Sequence, residues 1–338
     1  MASDQRPIVA ATMGDPAGIG PEICARAFAE ESVRRVSRPV LFGDARVMRK
    51  AVALVGSGLE VRVLDGPAAA TGEARFLEIV DLANADPAAF RPGEVSALCG
   101  KAAWEYVEAA GRAALARKAA VVVTAPINKE SIAAAKVPHI GHTEMLGAVS
   151  GVADPLTMFE TLGLRVFFLT RHVSLRKACD LVTKGRLVDY IERCSAALAD
   201  LGLSGPLAIA GLNPHCGEHG LFGDEEGREV EPAIAEARRR GLAVVGPIGA
   251  DSVFHQAKSG RFAAVLSLYH DQGHIACKTL DFERTVSLTL GMPFLRTSVD
   301  HGTAFDIAWK AEASAVSMVE ALLAGARYAP AFASDGDA

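Results

Sequence analysis

Short apolar runs alternate with amphipathic stretches along the whole chain. PIVAATM at 7–13 reads as a buried strand, and residues 21–31 as a helix with Pro21 in its first turn, where a missing N–H costs nothing. PVLFGD at 39–44 is a second strand that ends in a turn. Residues 101–117 are Ala-rich with helical period, and AAVVVT at 119–124 is an apolar strand stopped by Ala125-Pro126. A helix over 187–201 precedes a strand at Leu207, a helix over 230–240 precedes the strand GLAVVGP, and a helix over 314–328 precedes a tail, ASDGDA, expected to fray. Strands alternating with helices predict an α/β fold with a mostly parallel sheet. No Gly/Ser-rich linker divides the chain, so two lobes would be joined through structured segments and leave a cleft for ligand.

Three of the strand-like runs share one plan. LRVFFLTRH ends at His172, PLAIAGLNPH at His215 and FAAVLSLYH at His270. Each is an apolar run, a turn, then an imidazole. Ligands of open α/β sheets bind beyond the carboxyl ends of parallel strands. Three imidazoles delivered there, far apart in sequence, suit an assembled metal site with an open coordination position rather than a local finger. Zn²⁺, or Co²⁺, Mn²⁺ or Mg²⁺, would be the ion. Taken singly, each histidine reads as an ordinary loop residue; it is the repetition that favours the metal.

Other residues join this group. Asp271 adjoins His270 and either orients that imidazole or caps the next segment. Gly141-His142-Thr143-Glu144 offers an imidazole, a hydroxyl and backbone N–H groups for an anion if it opens a helix; the plainer reading is a helix start capped by Thr143. Lys278 and Arg296 could neutralise an anionic substrate, and Arg296 lies between the apolar MPFL and the small-residue run TSVDHGTA, an unusual place for a solvated charge. The loop from Thr12 to Glu22 is a strand–Gly–helix transition without the G-x-G-x-x-G spacing, and reads as a tight turn needing positive-φ glycines.

Composition narrows the classes. The net charge is −5, so no basic domain for nucleic acid is present, and Arg34-Arg35 and Arg238 to Arg240 read as solvated helix faces. Aromatics make up 6%, so the core is filled by aliphatic residues. Six cysteines without a C-x-x-C pair fit reduced thiols in a cytoplasmic protein; Cys216 follows His215 directly and so could lie near the site, with filler the plainer reading. The N-terminal MASDQRP lacks a signal-peptide core, and no apolar run approaches the ~20 residues that span a bilayer.

GDPAGIGPE at 14–22, TAPINK at 124–129, GHTE at 141–144, NPH at 213–215, GAD at 249–251, YHDQGH at 269–274 and RTSVDHGTA at 296–304 occur in one order over nearly the whole chain. On these the chain is identified as a member of the PdxA family, NAD-dependent 4-hydroxythreonine-4-phosphate dehydrogenases. The resemblance implies a two-lobed fold similar to isocitrate and isopropylmalate dehydrogenases, with residues 1–128 and 285–338 in one lobe, 129–284 in the other, and the site in the interlobe cleft of a homodimer. It implies metal ligands at His172, His215 and His270, drawn from both subunits, and substrate contacts at His142, Thr143, Lys278, Ser287 and Arg296. Lys278, Asp251 and Asp271 would serve the chemistry, and Asp300, His301, Gly302, Thr303 and Ala304 would contact NAD. Two positions depart from the family pattern: Ser287 replaces a substrate-binding Asn, and Trp309-Lys310-Ala311 replaces a glycine-containing continuation. The implied reaction is metal-dependent oxidation with decarboxylation of 4-phosphooxy-L-threonine or a D-threonate or D-erythronate 4-phosphate. The alternatives are a carboxylated cis-dihydrodiol such as that of terephthalate, or a non-catalytic metal- or ligand-binding homologue.

Overall fold

The computed structural model describes residues 4–332, so the tail expected to fray lies outside the described residues. In chain order the elements are β1 (Ile8–Thr12), α1 (Gly20–Ala27), α2 (Glu31–Val36), β2 (Arg38–Gly43), α3 (Ala45–Val55), β3 (Glu60–Leu64), β4 (Phe76–Asp81), α4 (Ala97–Leu115), β5 (Val121–Thr124), α5 (Lys129–Ala134) and α6 (His142–Ser150). There follow β6 (Leu156–Thr161), β7 (Leu164–Phe168), α7 (Leu175–Asp180), α8 (Lys184–Asp200), β8 (Leu207–Ala210), α9 (Glu231–Arg239), β9 (Val244–Ile248), α10 (Ala250–Lys258), β10 (Ala264–Ser267) and α11 (His270–Leu280). The chain closes with β11 (Val286–Leu290), β12 (Leu295–Val299) and α12 (Val316–Tyr328). The α/β alternation expected from the hydrophobic pattern is the architecture found. The helix expected over 21–31 is broken: α1 ends at Ala27 and α2 begins at Glu31.

Two compact units result, one of residues 1–155 with 286–338 and one of residues 156–285. The first division falls later in the chain than residue 128, because α5 and α6 both pack on α4. Two glycines of α4 make this close packing possible. A Cβ on Gly100 would lie 2.0 Å from the Ser131 carbonyl oxygen in α5, and one on Gly111 would meet Leu146 and Val149 of α6 at 3.0 and 3.1 Å. The side chains of Asp44, Ser96 and Asn128 accept backbone N–H groups at the starts of α3, α4 and α5, which fixes where those helices begin.

In the first unit the strands run in the order β3-β4-β2-β1-β5-β12-β11, parallel except for the antiparallel β11–β12 pair. One face of β5 and β12 is covered by α12: Thr297 Oγ1 donates to the Ala321 carbonyl, and Gly325 approaches Val121 and Val123. In the second unit the order is β6-β7-β10-β8-β9, with only β6 antiparallel. Its core gathers Phe159, Val166, Phe168, Ala208, Val253 and Val265. β8 and β10 are buried at every position, the burial expected of parallel strands covered on both faces. No described helix is long and apolar enough to cross a membrane, and all six cysteines are free thiols.

Candidate active site

The three strand–turn–histidine segments follow β7, β10 and β8, which are adjacent and parallel in the second unit. His172, His270 and His215 therefore all leave the same edge of the sheet. His172 and His270 stand side by side, ring centroids 5.7 Å apart. They line a pocket of about 320 Å³ with Arg171, Ser174, Tyr269 and Asp271. His270 opens α11, and Asp271 Oδ1 lies 2.6 Å from its Nδ1. That contact selects the Nδ1–H tautomer and leaves Nε2 with its lone pair outward, the orienting role considered for this carboxylate.

His274 and Lys278 lie one and two turns beyond His270, on the same face of α11. The His274 ring stacks on His270 at 3.7 Å and is flanked by Phe159 and Phe168. Burial, and then the neighbouring His270, Lys278 and His172, push its pKa down to about 3, so it is neutral at ordinary pH. His274 lies within YHDQGH four residues after His270, and that i, i+4 spacing is the signal in the sequence that places it beside His270.

His215 lies elsewhere, exposed on the turn after β8. Five successive residues there, His215 to His219, have left-handed backbone angles, with φ of 52°, 56°, 76°, 44° and 57°. A left-handed L-residue costs roughly 1–2 kcal/mol, so the two pairs of non-glycine residues on either side of Gly217 need strong restraint. The buried carboxylate of Glu226 ties down the chain that enters this turn. Oε1 accepts the N–H groups of Leu212 and Asn213 at 2.8 and 2.7 Å, and Oε2 accepts Asn213 Nδ2 at 2.8 Å. Asn213 Nδ2 also donates to Glu225 at 2.7 Å. Glu226 opens a single π-turn that runs into α9, so the helix expected from residue 230 has an earlier, irregular start.

Among the described residues, no group of three or more His, Cys, Asp or Glu side chains is placed to hold a metal. The donors present are nonetheless of the right kind. Two imidazoles are paired, one of them oriented by a carboxylate. Beside His215 the Cys216 thiol is pushed up by burial and then by Glu226, Asp251 and Glu231, so the turn lies in a negative field that favours a cation. The donor chemistry thus fits a divalent ion, with a set of three not assembled within this single chain.

The first unit holds the residues expected to bind an anion. Strand registers place Ser287 and Thr289 of β11, Arg296 and Ser298 of β12 and Thr124 of β5 on one face of the sheet. Arg296 is 6% exposed. Its Nε and Nη2 donate to Thr124 Oγ1 at 3.0 and 2.8 Å, and its Nη1 to Thr289 Oγ1 at 3.1 Å. These partners are hydroxyls, not carboxylates, and burial lowers the guanidinium pKa to about 10, offset in part by Asp300. His142 feels this cation. Burial and then Arg296 hold its imidazole neutral, and its Nε2 is buried without a hydrogen-bond partner. His142 is the first residue of α6, with Gly141 at the N-cap; Thr143 stands inside the first turn and is not the cap. A buried guanidinium, an unpartnered imidazole nitrogen and a helix start are groups whose chemistry suits an oxyanion.

Residues 300–304 follow β12 directly, and the loop beyond them is braced by the glycine-rich loop at 14–22. Ile19 N–H donates to the Thr303 carbonyl at 3.1 Å, and a Cβ on Gly18 would lie 2.9 Å from Thr303 Cβ. The Trp309 indole donates to the Pro16 carbonyl at 3.0 Å, Ala311 N–H to Glu22 at 3.2 Å, and Arg26 to the Ala311 carbonyl at 2.8 Å. Gly14 alone of the three loop glycines has positive φ; Gly18 and Gly20 are there for close approach.

Asp15 lies buried in this loop, accepting Ala17 N–H at 2.8 Å, and burial raises its pKa from 3.8 to about 6. A raised carboxyl pKa stabilises the fold fully below 3.8, and that contribution is lost as pH rises through about 6. Asp15→Asn, which keeps the acceptor and removes the charge, should therefore stabilise the protein more at neutral pH than in acid. Chemical unfolding at about pH 4 and about pH 7 should show this difference growing by up to about 3 kcal/mol; a pH-independent difference would show that Asp15 does not titrate.

The chain matches the model of the family described as "Pyridoxal phosphate biosynthetic protein PdxA" over residues 35–324. Proteins named "Putative D-threonate 4-phosphate dehydrogenase" from Fusobacterium nucleatum and Symbiobacterium thermophilum are 55% and 56% identical to it, over 96% and 97% of this chain and 98% of each relative. The crystal structure of a 4-hydroxythreonine-4-phosphate dehydrogenase from Klebsiella pneumoniae is 40% identical and superposes with a TM-score of 0.90, covering 97% of this chain and 99% of that one. The fold is therefore that of these dehydrogenases, and the chain belongs to the PdxA family of dehydrogenases that act on 4-phosphorylated hydroxy acids.

Proposed function

We propose that the protein oxidises a 4-phosphorylated hydroxy acid, with NAD⁺ as acceptor and one divalent cation as Lewis acid, and that loss of CO₂ follows. The observation that carries the substrate class is buried Arg296, whose hydrogen-bond partners are the hydroxyls of Thr124 and Thr289. A desolvated cation of this kind is retained for an anion. The names of the relatives point to D-threonate 4-phosphate; 4-phosphooxy-L-threonine and D-erythronate 4-phosphate are the neighbouring choices.

Arg296, His142 and Thr143 hold the anionic end; His142, kept neutral, can donate or accept without adding charge. His172, His270 and His215 hold the cation, with the set completed by a second copy of the chain in a homodimer, and Asp271 fixes the His270 tautomer. A divalent cation held there would supply Lewis acidity toward the substrate hydroxyl, and a nicotinamide would serve as hydride acceptor from the carbon that bears it. Lys278, on the His270 face of α11, moves the hydroxyl proton, and Asp251 adds to the negative field near His215. Residues 300–304 contact the nucleotide. Oxidation at C3 places a carbonyl β to the carboxylate, and CO₂ leaves with the electron pair directed toward that carbonyl.

NADH absorbance should grow when the protein is mixed with NAD⁺ and D-threonate 4-phosphate, stop with EDTA and return with Zn²⁺ or Co²⁺. The unphosphorylated acid and carboxylated cis-dihydrodiols should be poor substrates. Turnover of a dihydrodiol in preference to every phosphorylated acid would overturn the substrate assignment. Failure of all of them, with no NAD⁺ binding, would overturn the enzymatic reading.

A further inference from the structure

We infer that Glu226 is a positioning residue, which sets the left-handed turn so that His215 is presented as a metal ligand. The inference rests on the reading of His215 as a ligand proposed above. Left-handed angles at His215, Cys216, Glu218 and His219 are not what these residues adopt on their own. The surroundings over-determine them. Glu226 saturates the chain entering the turn, taking both main-chain N–H groups ahead of Pro214 and the Asn213 amide. Two glycines close the packing. A Cβ on Gly217 would lie 2.5 Å from the Gly223 carbonyl and 3.1 Å from Glu226 Oε2, and one on Gly223 would lie 2.4 Å from Asn213 Nδ2.

Several bonds thus converge on one buried carboxylate, one step removed from an exposed imidazole. Backbone held this far from its preferred conformation is a common sign of a preorganised site. The geometry assigns Glu226 to hold the His215 backbone, as the partner of a ligand's ring holds the ring. Its carboxylate need not touch the ion or the substrate.

Glu226→Gln tests this with little change of volume. The Gln carbonyl can still accept the main-chain N–H groups, but its amide then faces the Asn213 amide, donor against donor. Co²⁺ binding to the full-length protein, by chelator competition and by the visible absorption of the bound ion, is compared for wild type, Glu226→Gln and His215→Ala, alongside thermal unfolding of the metal-free proteins. The expected result is a Co²⁺ dissociation constant raised by about 10- to 100-fold in Glu226→Gln, with an altered visible spectrum at temperatures where the variant is folded. Wild-type affinity and an unchanged spectrum in folded Glu226→Gln would overturn the inference. Should that variant not fold, Asn213→Ala, which removes only the side-chain bonds, should weaken Co²⁺ binding by several-fold, and no change would overturn it equally. If wild type takes up no Co²⁺, or His215→Ala binds as wild type does, it is the ligand reading of His215 that fails, and the positioning role falls with it.

Discussion

Arg296→Met is expected to make the ligand-free protein more stable while nearly abolishing its activity. The wild-type guanidinium is buried, its pKa is lowered to about 10, and hydroxyls of Thr124 and Thr289 are what it bonds. Replacing a buried charge by an apolar side chain of similar length often stabilises a protein by about 1–4 kcal/mol. Loss of the same cation should lower kcat/KM for a phosphorylated acid by roughly 100- to 1,000-fold, the effect of about 3–4 kcal/mol in the transition state. Denaturant titration and steady-state kinetics on one preparation check both halves. An active variant, or an inactive one that is also strongly destabilised, would show that Arg296 serves the fold rather than an anion.

His215 makes the second such case. His215→Ala should remove metal-dependent turnover and leave the fold intact, since the side chain is exposed. His215→Gly should do the same and also raise the stability of the metal-free protein by about 1 kcal/mol, because glycine adopts positive φ without strain. Turnover retained in either variant would remove His215 from the site. The opposed signs of the stability and activity effects identify a strained residue kept for function.

The fold was legible where one signal dominates. Apolar runs gave β1, β2, β5, β8 and β9, and the strand–turn–histidine plan located three neighbouring parallel strands correctly. Polar and charged residues hid β3 and β4: EVRVL is exposed or half-buried, and Glu78 in β4 is a buried carboxylate tied to Arg62, Thr71 and Gly72. The break between α1 and α2 was missed because helical period continues across it. The division after residue 155 has no mark in the sequence, because what keeps α5 and α6 with the first unit is the absence of side chains at Gly100 and Gly111, a negative signal in sequence.

The candidate site was legible by residue type and much less by geometry. The contact of Asp271 with His270 and the burial of Arg296 are geometric facts that adjacency and the flanking pattern suggested; the electrostatic influence of Arg296 on His142 has no mark in local sequence. The left-handed turn at His215 was not foreseeable in full, because Gly217 permits positive φ at its own position while Cys216 and Glu218 have no such preference. It is imposed by Glu226 from the next element and by Gly217 and Gly223. Thr143 looked like a cap because Ser and Thr usually are; here Gly141 takes that position and leaves the hydroxyl in the first turn.

The central claim is that His172, His215 and His270 bind one divalent cation. X-ray absorption at the zinc edge of the Zn²⁺-loaded, full-length protein tests it directly. It should show three imidazole nitrogens at about 2.0–2.1 Å with oxygen completing the shell, falling to two imidazoles or to loss of the ion in His215→Ala. A zinc shell without imidazole scattering, or one that His215→Ala leaves unchanged, would contradict the account.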